Sequence, residues 1–119
     1  MVTNTGKTLK LNRLDYYIIH LKIINSVIAL DLTNKEINVL AHFLSMEGDI
    51  RNDLFGTTSR KLVREKCGVT LSGLTNYLES LQFKKCINKD NTGKLSLHPI
   101  INIGNNIEHT YTLKLIMTE

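Results

Sequence analysis

Seven cations, Arg60, Lys61, Arg64, Lys66, Lys84, Lys85 and Lys89, fall between Thr57 and Lys89 against only two anions, Glu65 and Glu79. That third of the chain carries +5, and the rest nets −1. Any polyanion partner would meet that third, since each phosphate neutralised releases condensed counterions; the plainer reading of such a charge run is a solvated face. Between the basic clusters lies an uncharged run, Ser72, Thr75, Asn76 and Tyr77. Its amide and hydroxyl groups can donate and accept hydrogen bonds without adding charge. Glu79 shares that face and weakens indiscriminate attraction to phosphate. Lys94 extends the basic set just beyond.

Other residue sets carry less chemistry. His20, His42, His98 and His109 share no metal-ligand spacing, and Cys67 and Cys86 form no C-x-x-C pair, so neither metal nor cofactor is expected. Gly56-Thr57-Thr58-Ser59-Arg60-Lys61 lacks the G-x-x-x-x-G-K of a phosphate-binding loop and reads instead as a helix start. No serine, histidine and aspartate set and no paired carboxylates fall in a catalytic pattern, so the expectation is a protein without enzymatic activity.

The composition allows one compact domain. The chain has 119 residues, of which 42% are hydrophobic and 22% charged, enough for a core without staples. Seven glycines and one proline argue against flexible linkers. The opening residues Met1–Gly6 lack the apolar core of a signal peptide, and the longest apolar-rich stretch, 16–30, is broken by His20, Lys22, Asn25 and Ser26. The expectation is a protein of a reducing cytoplasm with no membrane partner.

Residues 1–13 read as an arm, with Leu9 and Leu11 as a short alternating strand. From 14 to 30 the apolar residues Leu14, Tyr17, Ile18, Leu21, Ile24 and Ile28 recur at helical steps, leaving His20 off the stripe. Thr33 and Glu36 form a capping-box pair opening a helix over Ile37, Leu40, Ala41 and Leu44, with Leu32 placed to staple onto Ile37. Gly48 ends it, and 49–55 is a loop. A third helix starts at Gly56–Ser59, turns Leu62, Val63 and Cys67 inward and Arg60, Lys61 and Arg64 outward, and ends at Gly68. A fourth runs from about 71 to 81 with Leu71, Leu74, Leu78 and Leu81 inward. Phe83, Cys86-Ile87 and Leu95–Leu97 bracket a hairpin turn at Asp90–Gly93, Pro99 stops the pairing, 104–106 turns, and 109–117 alternates as a final strand.

The stretch Arg60-Lys61-Leu62-Val63-Arg64-Glu65-Lys66-Cys67-Gly68-Val69-Thr70-Leu71-Ser72-Gly73-Leu74-Thr75-Asn76-Tyr77-Leu78-Glu79-Ser80-Leu81, the sequel Leu81–Ile87 and the capped start Leu32–Leu40 together resemble the winged helix-turn-helix proteins, over about 32–117. The likeness extends to small phage and plasmid regulators and replication initiators. It implies an α+β, mainly α fold: an extra N-terminal helix at 14–30 on a winged-helix core at 32–117, with a C-terminal β-hairpin. It implies binding to double-stranded DNA, with the helix 71–81 in the major groove, Ser72, Thr75 and Asn76 toward base edges with Tyr77 at the margin (an asparagine amide pairs bidentately with adenine), Arg60, Lys61 and Arg64 on phosphates, and Lys84, Lys85, Lys89 and Lys94 around the wing. A homodimer through 14–30 or the last strand would match two half-sites. The rival reading is a protein–protein interaction module in a polymerase-associated or phage structural complex. It draws on two departures from the family pattern: Gly73 early in the fourth helix, and no Lys or Arg between Thr70 and Gln82.

Overall fold

A computed structural model describes residues 6–103 and 108–118. It is α+β and mainly helical. In chain order it has α1 (Arg13–Ile28), α2 (Asn34–Leu44), a 3-10 helix (Gly48–Asp53), α3 (Thr57–Cys67), α4 (Leu71–Phe83), β1 (Ile87–Lys89) and β2 (Leu95–Leu97).

The centre is α2. Ile37, Val39, Leu40, Ala41, Phe43 and Leu44 are all buried, so the helix presents apolar side chains around most of its circumference. It packs against α1, α3 and α4. The capping box forms as its spacing predicts: Glu36 N–H donates to Thr33 Oγ1 at 3.1 Å, and Thr33 N–H donates to Glu36 Oε1 at 2.9 Å. The other end of α2 is closed by arginines. Arg13 donates to the carbonyls of Ser45 and Met46 at 2.6 and 2.8 Å, and Arg51 donates to those of Leu44 and Met46. Guanidinium groups thus satisfy carbonyls that a helix end leaves without backbone donors.

α1 lays Tyr17 and Leu21 into the core and packs on α2, with Leu14, Ile18 and Ile24 partly buried and Ile28 exposed at the end of the stripe. Asn25 clamps the link to α2. Asn25 accepts from Leu32 N–H at 2.9 Å and donates to Leu32 C=O at 3.3 Å, standing in for a peptide unit across a link in which Ala29 and Asp31 take left-handed φ of 57° and 61°. Two expectations about the helices change here. α2 ends at Leu44 rather than Gly48, and 49–55 is largely the 3-10 helix, which Gly48 enters at a φ of +75°. His20 is off the expected stripe yet buried. Its Nε2 donates to Ile101 C=O at 2.9 Å, leaving Nδ1 to accept from the Tyr111 hydroxyl. Burial lowers its pKa, the Ile101 carbonyl opposes that, and nearby His109 adds to it, so the neutral ring fits this arrangement.

Gly68 takes the left-handed C-cap (φ +65°) expected of it, and three residues later α4 begins. β1 and β2 pair antiparallel, with Ile87 opposite Leu97 and Lys89 opposite Leu95, and the pairing stops before Pro99 as expected. Asp90 organises the turn. Its Oδ1 accepts from Thr92 N–H, the Thr92 hydroxyl and Lys94 N–H at 2.6–2.9 Å. The Thr92 hydroxyl and the backbone donors hold the Asp90 carboxyl below the usual range.

The ends of the chain depart from expectation. Leu9 and Leu11 are exposed and form no strand. The strand expected at 109–117 is also missing: 108–118 forms no strand, and Leu113, Leu115, Ile116 and Met117 are 65–91% exposed. Alternation alone makes no strand without an edge to pair with. The hydrogen bond from this segment to the rest of the described residues is that of Tyr111 to His20, beside which the His109 and Tyr111 rings lie 4.7 Å apart. The expected turn at 104–106 lies outside the described residues.

Candidate nucleic-acid interface

The start of α4 decides what its outer face presents. Thr70 caps the helix, its Oγ1 accepting from Gly73 N–H at 3.0 Å. A side chain at Gly73 would place its Cβ 3.0 Å from that oxygen, so the glycine leaves room for the cap. Leu74, Leu78 and Leu81 are buried as expected, but Leu71 is not. As the first helical residue it lies beyond the core and is 63% exposed. The helix also runs past Leu81 to Phe83, which is 84% exposed. The outward arc is therefore Leu71, Ser72, Thr75, Asn76, Glu79 and Phe83, all exposed, with Glu79 near its middle. Thr75 donates its hydroxyl to Leu71 C=O at 3.0 Å. Tyr77, expected at the margin of this face, is half-buried and packs on the core.

The basic residues divide. Lys84 is spent on the fold: its ammonium donates to Glu36 Oε1 and to Asp31 C=O, both at 2.6 Å. Glu36, 3% exposed, also accepts from Ser80 Oγ. Burial raises the pKa of this carboxyl, but the bonds from Lys84, Ser80 and Thr33 outweigh it and hold the group at about 2. Lys84 is thus no wing cation. Arg64 is half-buried along α3 with its Nε shielded from solvent, not turned fully outward. Lys61, Lys66, Lys85, Lys89 and Lys94 are exposed, and none joins the two ion pairs found among the described residues.

Arg60 is the pivot between helices and hairpin. Its Nε donates to Phe55 C=O at 2.6 Å, which fixes the guanidinium base. One groove of about 420 Å³ lies between the start of α3 (Gly56, Thr57, Arg60) and the hairpin turn (Thr92, Gly93, Lys94). A second, of about 230 Å³, lies between α4 (Thr75, Glu79, Gln82) and the hairpin (Lys89, Gly93). Arg60, Gly93 and Leu95 line both, so the two share a wall. No side chain caps α3, and its first N–H groups and positive dipole end stand at the first groove, as does Asp53. The structure thus gathers Arg60, Thr75, Lys89 and Lys94 about one trough, with Ser72 and Asn76 on the adjoining arc. Lys84 and Tyr77 lie outside it. The sequence reading missed Gln82, Thr92 and Phe83, whose positions follow only from where α4 ends and how the turn folds.

The groups with reactive potential are quiet. Burial pushes the Cys86 thiol up to about 11 and raises that of Cys67, so neither is an activated thiolate. Among the described residues no three His, Cys, Asp or Glu side chains are placed to hold a metal ion. No helix of the described residues is long and apolar enough to cross a membrane. No protein-family model, curated protein or solved structure matches the chain.

Proposed function

We propose that this chain is a non-enzymatic winged helix-turn-helix protein that binds double-stranded DNA, serving transcription control or replication start in a phage or plasmid-like element. The observation that carries the reading is the basic set gathered around one open helix, in which Arg60 is anchored by its Nε and Lys89 and Lys94 are exposed. Arg60, Lys89 and Lys94 flank an α4 whose outward arc engages no other part of the fold. α3 and α4 are the helix pair, and β1–β2 is the wing. The N-terminal half of α4 enters the major groove with Ser72, Thr75 and Asn76 toward base edges. Lys61, Arg60, Lys89 and Lys94 neutralise phosphates on either side.

The test is fluorescence anisotropy with labelled duplex DNA over a range of salt. Each phosphate contact contributes about −0.9 to the slope of log K against log salt, so four cations predict a slope near −3 to −4. The double variant K89A/K94A lowers affinity for every sequence and flattens the slope by about 2. Affinity weaker than about 0.1 mM at physiological salt, with no preference among duplexes, overturns the reading.

A second reading, a protein-interaction module, is favoured by the exposed apolar residues Leu113, Leu115, Ile116 and Met117. A homodimer is assigned to this segment rather than to 14–30, most of whose stripe packs inside the fold with Ile28 left exposed at its end. A variant ending at Tyr111 that stays monomeric where the full chain is dimeric, by light scattering, supports it. Identical masses sink it.

A further inference from the structure

We propose that α4 reads adenine and cytosine, not guanine, and that Glu79 is the residue that discriminates; this rests on the duplex-binding reading above. The argument begins with what each base shows in the major groove. Guanine offers two acceptors and calls for a cation or another donor, most often Arg or Lys. No outward residue of α4 is a cation. The nearest cations belong to other elements, and Arg60 is tethered through its Nε to Phe55 C=O. Adenine offers an acceptor beside a donor, which the Asn76 amide matches. Asn76 is exposed and its side chain makes no hydrogen bond within the described residues, so both of its amide polar atoms are available.

Glu79 gives the reading its sign. Cytosine alone shows the major groove a donor without an acceptor, and a carboxylate only accepts. Glu79 lines the trough with Arg60 and Lys89 yet forms no ion pair with either. Against guanine or thymine its carboxylate meets acceptor atoms, and against the backbone it meets phosphates. An acidic group near the middle of the contact face therefore weakens binding except where a base amino group satisfies it, and only cytosine's stands without an acceptor on the same base. Asn76 and Glu79 are three residues apart on one arc, a rise of roughly 4.5 Å, so they address bases one or two steps apart. Leu71 and Phe83, exposed at the two ends of the same face, suit thymine methyl groups.

The experiment is selection from a randomised duplex library, followed by affinity measurements on recovered and scrambled duplexes, using the full chain and the variants E79A, N76A and K89A. The Glu79 and Asn76 side chains are exposed and bond to nothing else among the described residues, and equal melting temperatures will confirm that the variants are folded. The full chain is expected to recover an A·T and a C·G pair within two steps, and replacing that C·G pair weakens it roughly five- to a hundred-fold. E79A loses that preference, to less than about twofold, and binds scrambled duplex several-fold more tightly than the parent. N76A loses the adenine and keeps the cytosine. K89A weakens all duplexes alike. A library with no preference for a C·G pair beside the A·T pair, or a C·G preference that survives in E79A, overturns the inference while duplex binding stands. Absence of binding to any duplex overturns the functional reading itself.

Discussion

Two glutamate–lysine pairings meet around α4, and the molecule treats them in opposite ways. Glu36 and Lys84 close to 2.6 Å in a buried position, joined by Ser80, Thr33 and a backbone carbonyl. Glu79 and Lys89 line one trough, exposed, and do not pair. The residue types are the same, and only the surroundings differ. In water an exposed pair gains about 0–1 kcal/mol, too little to hold two mobile side chains together. A buried charge without its partner is costly, so the inner pair is closed and multiply bonded. The inner charges belong to the scaffold, and the outer ones are left for something that is not part of this chain.

The largest effect that would test this contrast is on the inner pair. Glu36→Ala leaves Lys84 and Ser80 without their acceptor and should cost about 3–5 kcal/mol in urea denaturation, a large part of a small domain's stability. Glu79→Ala, on the outer pair, should stay within about 0.5 kcal/mol of the parent. Similar losses in the two variants would erase the distinction. Acid offers a smaller version of the same test. The Glu36 carboxyl is held at about 2 against an ordinary 4.5. Its contribution is therefore complete above pH 4.5 and is lost as pH falls toward 2, on the order of 3 kcal/mol. Unfolding free energies at pH 5.5 and 2.5 read it directly, and in Glu36→Gln the difference between them should shrink; an unchanged difference would remove Glu36 from the account.

Asn25→Leu probes a neutral buried contact beside the charged one. It leaves Leu32 N–H and C=O without their partner and should cost about 1–3 kcal/mol, without altering affinity for duplex DNA. The smallest effect is at Lys85. Leu81 and Gln82 carbonyls accept from Cys86 and Lys85 N–H at 2.9 and 3.1 Å, a helix ending that favours glycine, yet Lys85 holds φ +68° there. Lys85→Gly should raise stability by about 1 kcal/mol in thermal or urea melts. If Lys85 serves the duplex, that gain comes with weaker binding, and unchanged binding would count it among the idle cations.

What could be read from the sequence was local. The Thr33–Glu36 box, the left-handed Gly68, the leucines at 74, 78 and 81 and the Asp90–Gly93 turn each rest on residues a few positions apart, where capping and turn chemistry act. The core and the order of elements followed from them. What escaped depends on separation. Glu36 and Lys84 are 48 residues apart, and nothing at either position announces the other. His20 sits one step off a stripe and is buried because Ile101 and Tyr111, far along the chain, supply its partners. The last segment alternates as well as any strand, but alternation says nothing about whether an edge is free to receive it. At the trough the residue types were legible and their assembly was not. Lys84 and Lys85 are neighbours in sequence, yet the left-handed turn between α4 and β1 sends one inward and leaves the other in solvent.

The Asn25 carboxamide has a bearing on how such a chain can change over generations. Because one side chain spans from the end of α1 to Leu32, it works as a ruler for the residues between them. An insertion or deletion there cannot be absorbed as a longer or shorter loop; it must surrender both bonds at once. Relatives of this chain, as they are found, should hold that interval constant while the outward arc of α4 and the hairpin vary, so that length is inherited with the scaffold and preference for a partner drifts on its surface.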